Sequence, residues 1–144
     1  MIIPLLQGLK LTFSYLLKKK VTLQYPDEKW DVAPRWRGRH VLTRDGSGKI
    51  KCVACMLCAT VCPADCIYIE AAAEPDGRRY PGRYEIDLTR CIFCGYCVEA
   101  CPKEAIEMST AYEISEYSRD ALLYDKERLL EPPTPRYELK KKAG

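Results

Sequence analysis

The sequence predicts a small α+β domain made of two copies of one strand–loop–helix–strand unit, with an arm on either side. Three observations predict it. All nine cysteines lie between residues 47 and 112. A shift of 39 positions lays Lys51–Pro63 onto Arg90–Pro102, cysteine over cysteine, and the match runs on to Asp65 over Glu104 and Ile67 over Ile106. Ahead of this repeat stands a run of apolar residues at helical spacing, and behind it a charged, proline-rich stretch.

In chain order, residues 1–20 place Ile2, Leu5, Leu6, Leu9, Phe13, Leu16 and Leu17 on one helical face, with Gln7, Lys10, Ser14 and Lys18 opposite. This is an amphipathic helix, too short to span a bilayer comfortably and interrupted by Lys10. Lys18, Lys19 and Lys20 follow the apolar run, and no small-residue cleavage site appears, so it does not read as a signal peptide. It is suited to lie in a membrane interface, its lysines near anionic headgroups, or to dock on a partner. A core helix is the alternative, and four lysines without an acid weigh against it.

Residues 21–46 form a linker arm marked by Pro26, Pro34, Gly38 and Gly46. The repeat domain occupies residues 47–112. Its strand candidates are 40–44, 67–71, 83–87 and 106–110, the middle two joined through a turn-rich Glu74–Gly82 connection. Neither half can bury its apolar face alone, so two halves packed about a pseudo-twofold are expected. Residues 113–144 read as a helix over Arg119–Leu130, then Pro132, Pro133 and Pro135, then a basic tail.

A domain core this small needs a disulfide, a metal or a partner to hold it. The odd cysteine count and lack of a secretory signal argue for thiols kept reduced and available for metal. Both repeats read C-x2-C-x2-C-x3-C-P. Three cysteines spaced by three wrap one cubane, and the fourth, a helical turn further on, reaches the other. The chain should therefore hold two [4Fe–4S] clusters in a bacterial-ferredoxin-like fold. One is bound by Cys52, Cys55, Cys58 and Cys101, the other by Cys91, Cys94, Cys97 and Cys62. Zinc ribbons need only pairs of cysteines and would leave the third cysteine and the proline unexplained.

Thiolate on every iron leaves no open coordination position for a substrate, and no other catalytic motif is present. The chain reads as a relay without catalytic residues of its own. The net charge of +3 becomes about −1 with two dianionic clusters, so it is no argument for nucleic acid. Gly95 is expected to let backbone approach the second cluster, where the first repeat has Met56. Val53, Ile67, Ile92, Phe93 and Ile106 are expected to form the apolar shell. Cys66 aligns with Ala105 and reads as a small buried side chain rather than a ligand.

The arms and motifs together resemble subunit I of respiratory NADH:quinone oxidoreductase, complex I, over nearly the whole chain. The resemblance rests on the amphipathic helix, on Arg37-Gly38-Arg39-His40-Val41-Leu42, and on Lys51-Cys52-Val53-Ala54-Cys55-Met56-Leu57-Cys58. It continues through Tyr84-Glu85-Ile86-Asp87-Leu88, the second motif from Arg90 to Pro102, Tyr117-Ser118-Arg119 and Leu122–Glu127.

The resemblance implies electron flow from NADH, by way of a flavin in another subunit, through the two clusters toward a terminal cluster beside the quinone site. The whole complex would couple that flow to ion translocation. It implies a hetero-oligomer in which this chain meets peripheral-arm subunits and the membrane-arm subunit at their junction. Its helix would lie along the membrane, on the cytoplasmic face of a bacterial inner membrane. The C-terminal helix and tail would drape over neighbouring subunits. His40, the only histidine, sits in a basic cluster with Arg37 and Arg39. It reads as a structural or surface residue, with a contact to the quinone-site subunit as the other possibility. The rival functions are the equivalent relay in a membrane-bound hydrogenase or a ferredoxin-dependent photosynthetic complex, and a free soluble ferredoxin.

Overall fold

Local sequence signals decide where elements begin and stop in the computed structural model, which describes residues 2–133. Pro135 and the basic tail lie outside the described residues. The chain divides into two compact units, one running to Asp31 and the other starting at Val32.

In the first unit, α1 spans Ile2–Leu16, and its apolar side chains are all exposed. Ile3, Leu11 and Tyr15 are apolar and exposed outside the expected stripe, so the polar face of Gln7, Lys10 and Ser14 is narrow. The Thr12 hydroxyl donates to the Leu9 carbonyl at 3.0 Å and that of Ser14 to Leu11 at 2.7 Å. These bonds let hydroxyl residues sit in an apolar helix without exposing unpaired donors. Among the described residues no helix is long and apolar enough to cross a membrane.

The second unit carries the repeat. Strand β1 (His40–Leu42) leads through a cysteine loop to α2 (Leu57–Thr60) and β2 (Ile67–Ala73). Strand β3 (Arg79–Asp87) leads through the second loop to α3 (Tyr96–Glu99) and β4 (Ile106–Met108). Each half is the strand–loop–helix–strand unit expected from the repeat. The halves exchange partners: β1 pairs antiparallel with β4, and β2 with β3.

The register shows the pseudo-twofold residue by residue. Leu42 stands opposite Ile106, and Ile86 opposite Ile67. His40 stands opposite Met108, and Tyr84 opposite Ile69. Met108 and Ile106 are Ile69 and Ile67 moved by the 39-residue repeat, so His40 and Tyr84 hold equivalent places. Leu42, Ile67, Ile69, Tyr84, Ile86 and Ile106 are buried and form the centre of the core.

Strand ends differ from the reading of the sequence for identifiable reasons. β2 and β3 are longer, because Glu74–Arg78 alone closes the hairpin and Pro81 and Gly82 belong to β3. A bulge beside Glu70 and Ala71 leaves Gly82 without an opposite residue and so tolerates the proline. β1 is shorter, because Asp45 accepts from the backbone N–H of Ser47 and Lys49 and turns the chain.

The helix expected over Arg119–Leu130 is not continuous. A 3-10 turn at Asp120–Leu122 gives way to β5 (Leu123–Tyr124), which pairs with Ile86 and Asp87 at the edge of β3. Asp125 then caps α4 (Lys126–Leu130), accepting from the Arg128 N–H at 2.9 Å. Burial of Tyr124 and Leu129 and the satisfied edge of β3 outweigh the local helical periodicity. The Arg128 guanidinium lies 3.8 Å over the Tyr124 ring, and Arg39 reaches the carbonyls of Arg128 and Glu131. Gly38 is required ahead of it, because a Cβ there would overlap the Ala111 carbonyl oxygen while Gly38 N–H donates to Ser109 at 2.8 Å.

Candidate metal centre

Both cysteine loops carry the same backbone irregularities. Ala54, Met56 and Asp65 have φ of 50°, 65° and 47°, and their repeat equivalents Phe93, Gly95 and Glu104 have 53°, 85° and 47°. Left-handed backbone costs a non-glycine residue about 1 kcal/mol, so five such residues in matched places are held there by the loop design. The return is visible in the amides. Ala54 N–H donates to Cys52 Sγ at 3.5 Å, and Phe93 N–H to Cys91 Sγ at 3.4 Å. Ala105 N–H donates to Cys101 Sγ at 3.2 Å. Amides turned toward the sulfurs in this way favour the thiolate form.

The loops enclose two recesses. One is walled by Cys52, Cys55, Cys58 and Cys101 together with Leu42, Ile69, Tyr84 and Ile106. The other is walled by Cys62, Cys91, Cys94 and Cys97 together with Cys66, His40, Ile67 and Ile86. Each recess thus brings three cysteines of one motif to the fourth cysteine of the other, the two groups that the spacing pairs. All nine thiols are free. Among the described residues, no three His, Cys, Asp or Glu side chains converge as a single ion requires. The sulfurs ring a space instead, and an all-thiolate ring around an apolar recess fits a tetranuclear cluster.

Burial governs the electrostatics of the thiols. It pushes Cys97 up to about 12 and raises Cys52, Cys58 and Cys91 above the usual thiol value. Cys62 goes the other way: burial opposes ionisation, but backbone hydrogen bonds from Cys66 and Ala64 outweigh it. Without metal most of these sulfurs keep their protons, so binding a cluster must release them.

Several neighbours differ from expectation. Cys66 is buried, as its alignment with Ala105 suggested, but its Sγ lies 3.5 Å from that of Cys62. A fifth sulfur therefore borders the second recess only. Gly95 borders the second recess and has a further neighbour besides: a Cβ there would meet the Arg37 side chain at 3.1 Å. Ile92 is 64% exposed and only edges the shell, while Ile67 and Ile106 are buried within it.

His40 is not a surface residue of the basic cluster. It is 2% exposed, its ring tilts against Phe93 at 5.6 Å, and its Nδ1 has no hydrogen-bond partner among the described residues. Burial lowers its pKa from 6.5 to about 4. Tyr84, which the sequence did not single out, is 1% exposed with its hydroxyl 3.4 Å from Cys58 Sγ. No local signal marked its role, since its register equivalent His40 lies twelve residues before the first motif and Tyr84 only seven before the second.

Residues 51–105 match the family model described as a 4Fe-4S dicluster domain. The chain is 53% identical over 131 residues to NADH-quinone oxidoreductase subunit I 2 of Geobacter metallireducens, covering 91% of this chain and 99% of that one. It is equally similar, at 53%, to subunit I 1 of Geobacter sulfurreducens, with 91% and 98% covered. To subunit I of Pseudomonas putida it is 50% identical, with 87% and 69% covered. Among solved structures, it resembles a chain of the membrane-bound sulfane sulfur reductase, an archaeal respiratory membrane complex. There the TM-score is 0.53 and the identity 34%, over 76% of this chain and 55% of that chain.

Proposed function

Because this chain belongs to the NADH-quinone oxidoreductase subunit I family, and so is an electron-transfer subunit of complex I with two [4Fe–4S] clusters, we propose how it holds them and where it works. Cys52, Cys55, Cys58 and Cys101 bind the first cluster, and Cys62, Cys91, Cys94 and Cys97 bind the second. The observation that carries this reading is the pair of recesses, each completed by a cysteine from the opposite motif.

The bound clusters supply one-electron redox chemistry. The protein's part is to position them, exclude water and neutralise charge. Leu42, Ile69 and Ile106 keep water from the first recess, and Ile67 and Ile86 do so for the second. The inward amides of Ala54, Phe93 and Ala105 spread the thiolate charge. Electrons arriving from NADH through a flavin subunit pass through both sites toward the quinone-side cluster. The apolar, lysine-bearing α1 segment supports attachment along the membrane surface at the junction with the membrane arm, on the cytoplasmic face. The likeness to a chain of an archaeal respiratory membrane complex supports a fixed place in a membrane assembly over a free soluble carrier.

Anaerobic iron and sulfide analysis with EPR tests the ligand sets. The chain should carry about eight irons. Cys101→Ser should remove or convert the cluster anchored by Cys52–Cys58, and Cys62→Ser the one anchored by Cys91–Cys97. Four irons in the unaltered chain, or each substitution striking the cluster of its own motif, would overturn the crossed assignment.

A further inference from the structure

The pseudo-twofold places one buried polar side chain at the same point of each half. Tyr84 on β3 and His40 on β1 occupy equivalent register positions, opposite Ile69 and Met108. Tyr84 borders the recess of Cys52, Cys55, Cys58 and Cys101, while His40 borders that of Cys62, Cys91, Cys94 and Cys97. Both are almost fully buried. Apart from the exposed Lys103 at the first recess, the walls are cysteines and apolar residues, and a buried donor among them without an acceptor is costly, which makes a repeated one a feature to explain.

The acceptors at hand are sulfurs. The Tyr84 hydroxyl is 3.4 Å from Cys58 Sγ. Once Cys58 is a thiolate ligand it has no proton, so the phenol O–H must be the donor. His40 Nδ1 has no partner among the described residues, and the recess it borders offers the ring of thiolates as acceptors. Phe93 against the imidazole fixes the ring plane.

We propose that Tyr84 and His40 are symmetry-equivalent hydrogen-bond donors, one to the sulfur shell of each cluster, and that they set the two reduction potentials. The physical reason is charge. Reduction adds an electron to an already anionic site, so a donor to sulfur stabilises the reduced form more than the oxidised form and raises the potential. A phenol and an imidazole are different donors, so one fold gives its two clusters separate settings. This inference rests on the ligand sets proposed above.

The test is an EPR-monitored reductive titration of the full chain carrying both clusters, under anaerobic conditions. The Cys101→Ser chain identifies which signal belongs to which cluster. Tyr84→Phe, which removes a single oxygen atom, should make the first cluster about tenfold harder to reduce, a fall of about 59 mV for one electron, and leave the second unchanged. His40→Leu should do the same to the second cluster alone, and His40→Gln, which keeps an N–H donor, should recover part of the fall. Wild-type potentials in both Tyr84→Phe and His40→Leu with iron retained, or both clusters shifting together in either variant, would overturn the proposal. Should His40→Leu lose iron, the decision falls to Tyr84→Phe and His40→Gln. A wild-type chain with only four irons would instead reject the ligand sets.

Discussion

Met56 and Gly95 are repeat equivalents with nearly the same backbone, at φ of 65° and 85°, yet only one is glycine. Met56 bears strain that Gly95 does not, and glycine is relieved of it by having no Cβ. Met56→Gly is expected to be neutral or stabilising by up to about 1 kcal/mol in thermal unfolding of the cluster-loaded chain, since the side chain is partly exposed. Gly95→Ala should destabilise by about 1 kcal/mol and loosen Arg37, whose guanidinium packs on that spot.

At the same scale, burial holds the His40 pKa at about 4 in the cluster-free chain, below its ordinary 6.5. Between these values the unfolded chain binds a proton that the cluster-free fold refuses, so this residue alone weakens that fold as pH drops from 6.5 toward about 4. Neither role was legible from neighbours in sequence. Arg37 and Arg39 made His40 look like part of a basic surface, whereas strand alternation turns it inward and leaves the arginines elsewhere. The glycine at 95 was legible as a place where backbone comes close to the second site, but the Arg37 packed against it comes from a distant segment.

Elements follow the same division between local and long-range causes. The four strands of the repeat and the two one-turn helices could be read because cysteine spacing and apolar alternation are local signals. The C-terminal stretch could not, because Leu123–Tyr124 becomes a strand only by pairing with β3, some 36 residues away. The Asp125 cap was the readable clue, since an acid before Lys126–Leu130 is a helix-start signal that argues against one helix running through it. Asp125→Ala should cost about 1 kcal/mol. Hydrogen exchange of the cluster-loaded chain should show it as lost protection at Leu129 N–H, which bonds to the Asp125 carbonyl, while β2 and β3 keep theirs.

For the whole molecule, the two units make separable contributions. The second unit holds all the cysteines, and the first holds a helix whose apolar side chains are exposed. Deleting residues 1–20 is therefore expected to leave about eight irons per chain while releasing the subunit from its complex, as read by iron analysis and co-purification. Retention in the complex would show that the helix is not what attaches it. The family and the cofactor were legible because the paired motifs are specific. The attachment surface was legible only as an unpartnered apolar stripe, since a helix carries no record of what covers it.

The crossed fourth cysteines also have a consequence for biosynthesis. On the proposed ligand sets, a chain emerging from the ribosome presents Cys52, Cys55 and Cys58 early but cannot close the first site until Cys101 has appeared. The second site waits equally on Cys97, although its Cys62 was made long before. Neither cluster can be completed on a partly made core, so both maturations wait for the second motif. A product lacking the second motif would hold no finished cluster, so a half-loaded chain cannot arise by truncation between the motifs.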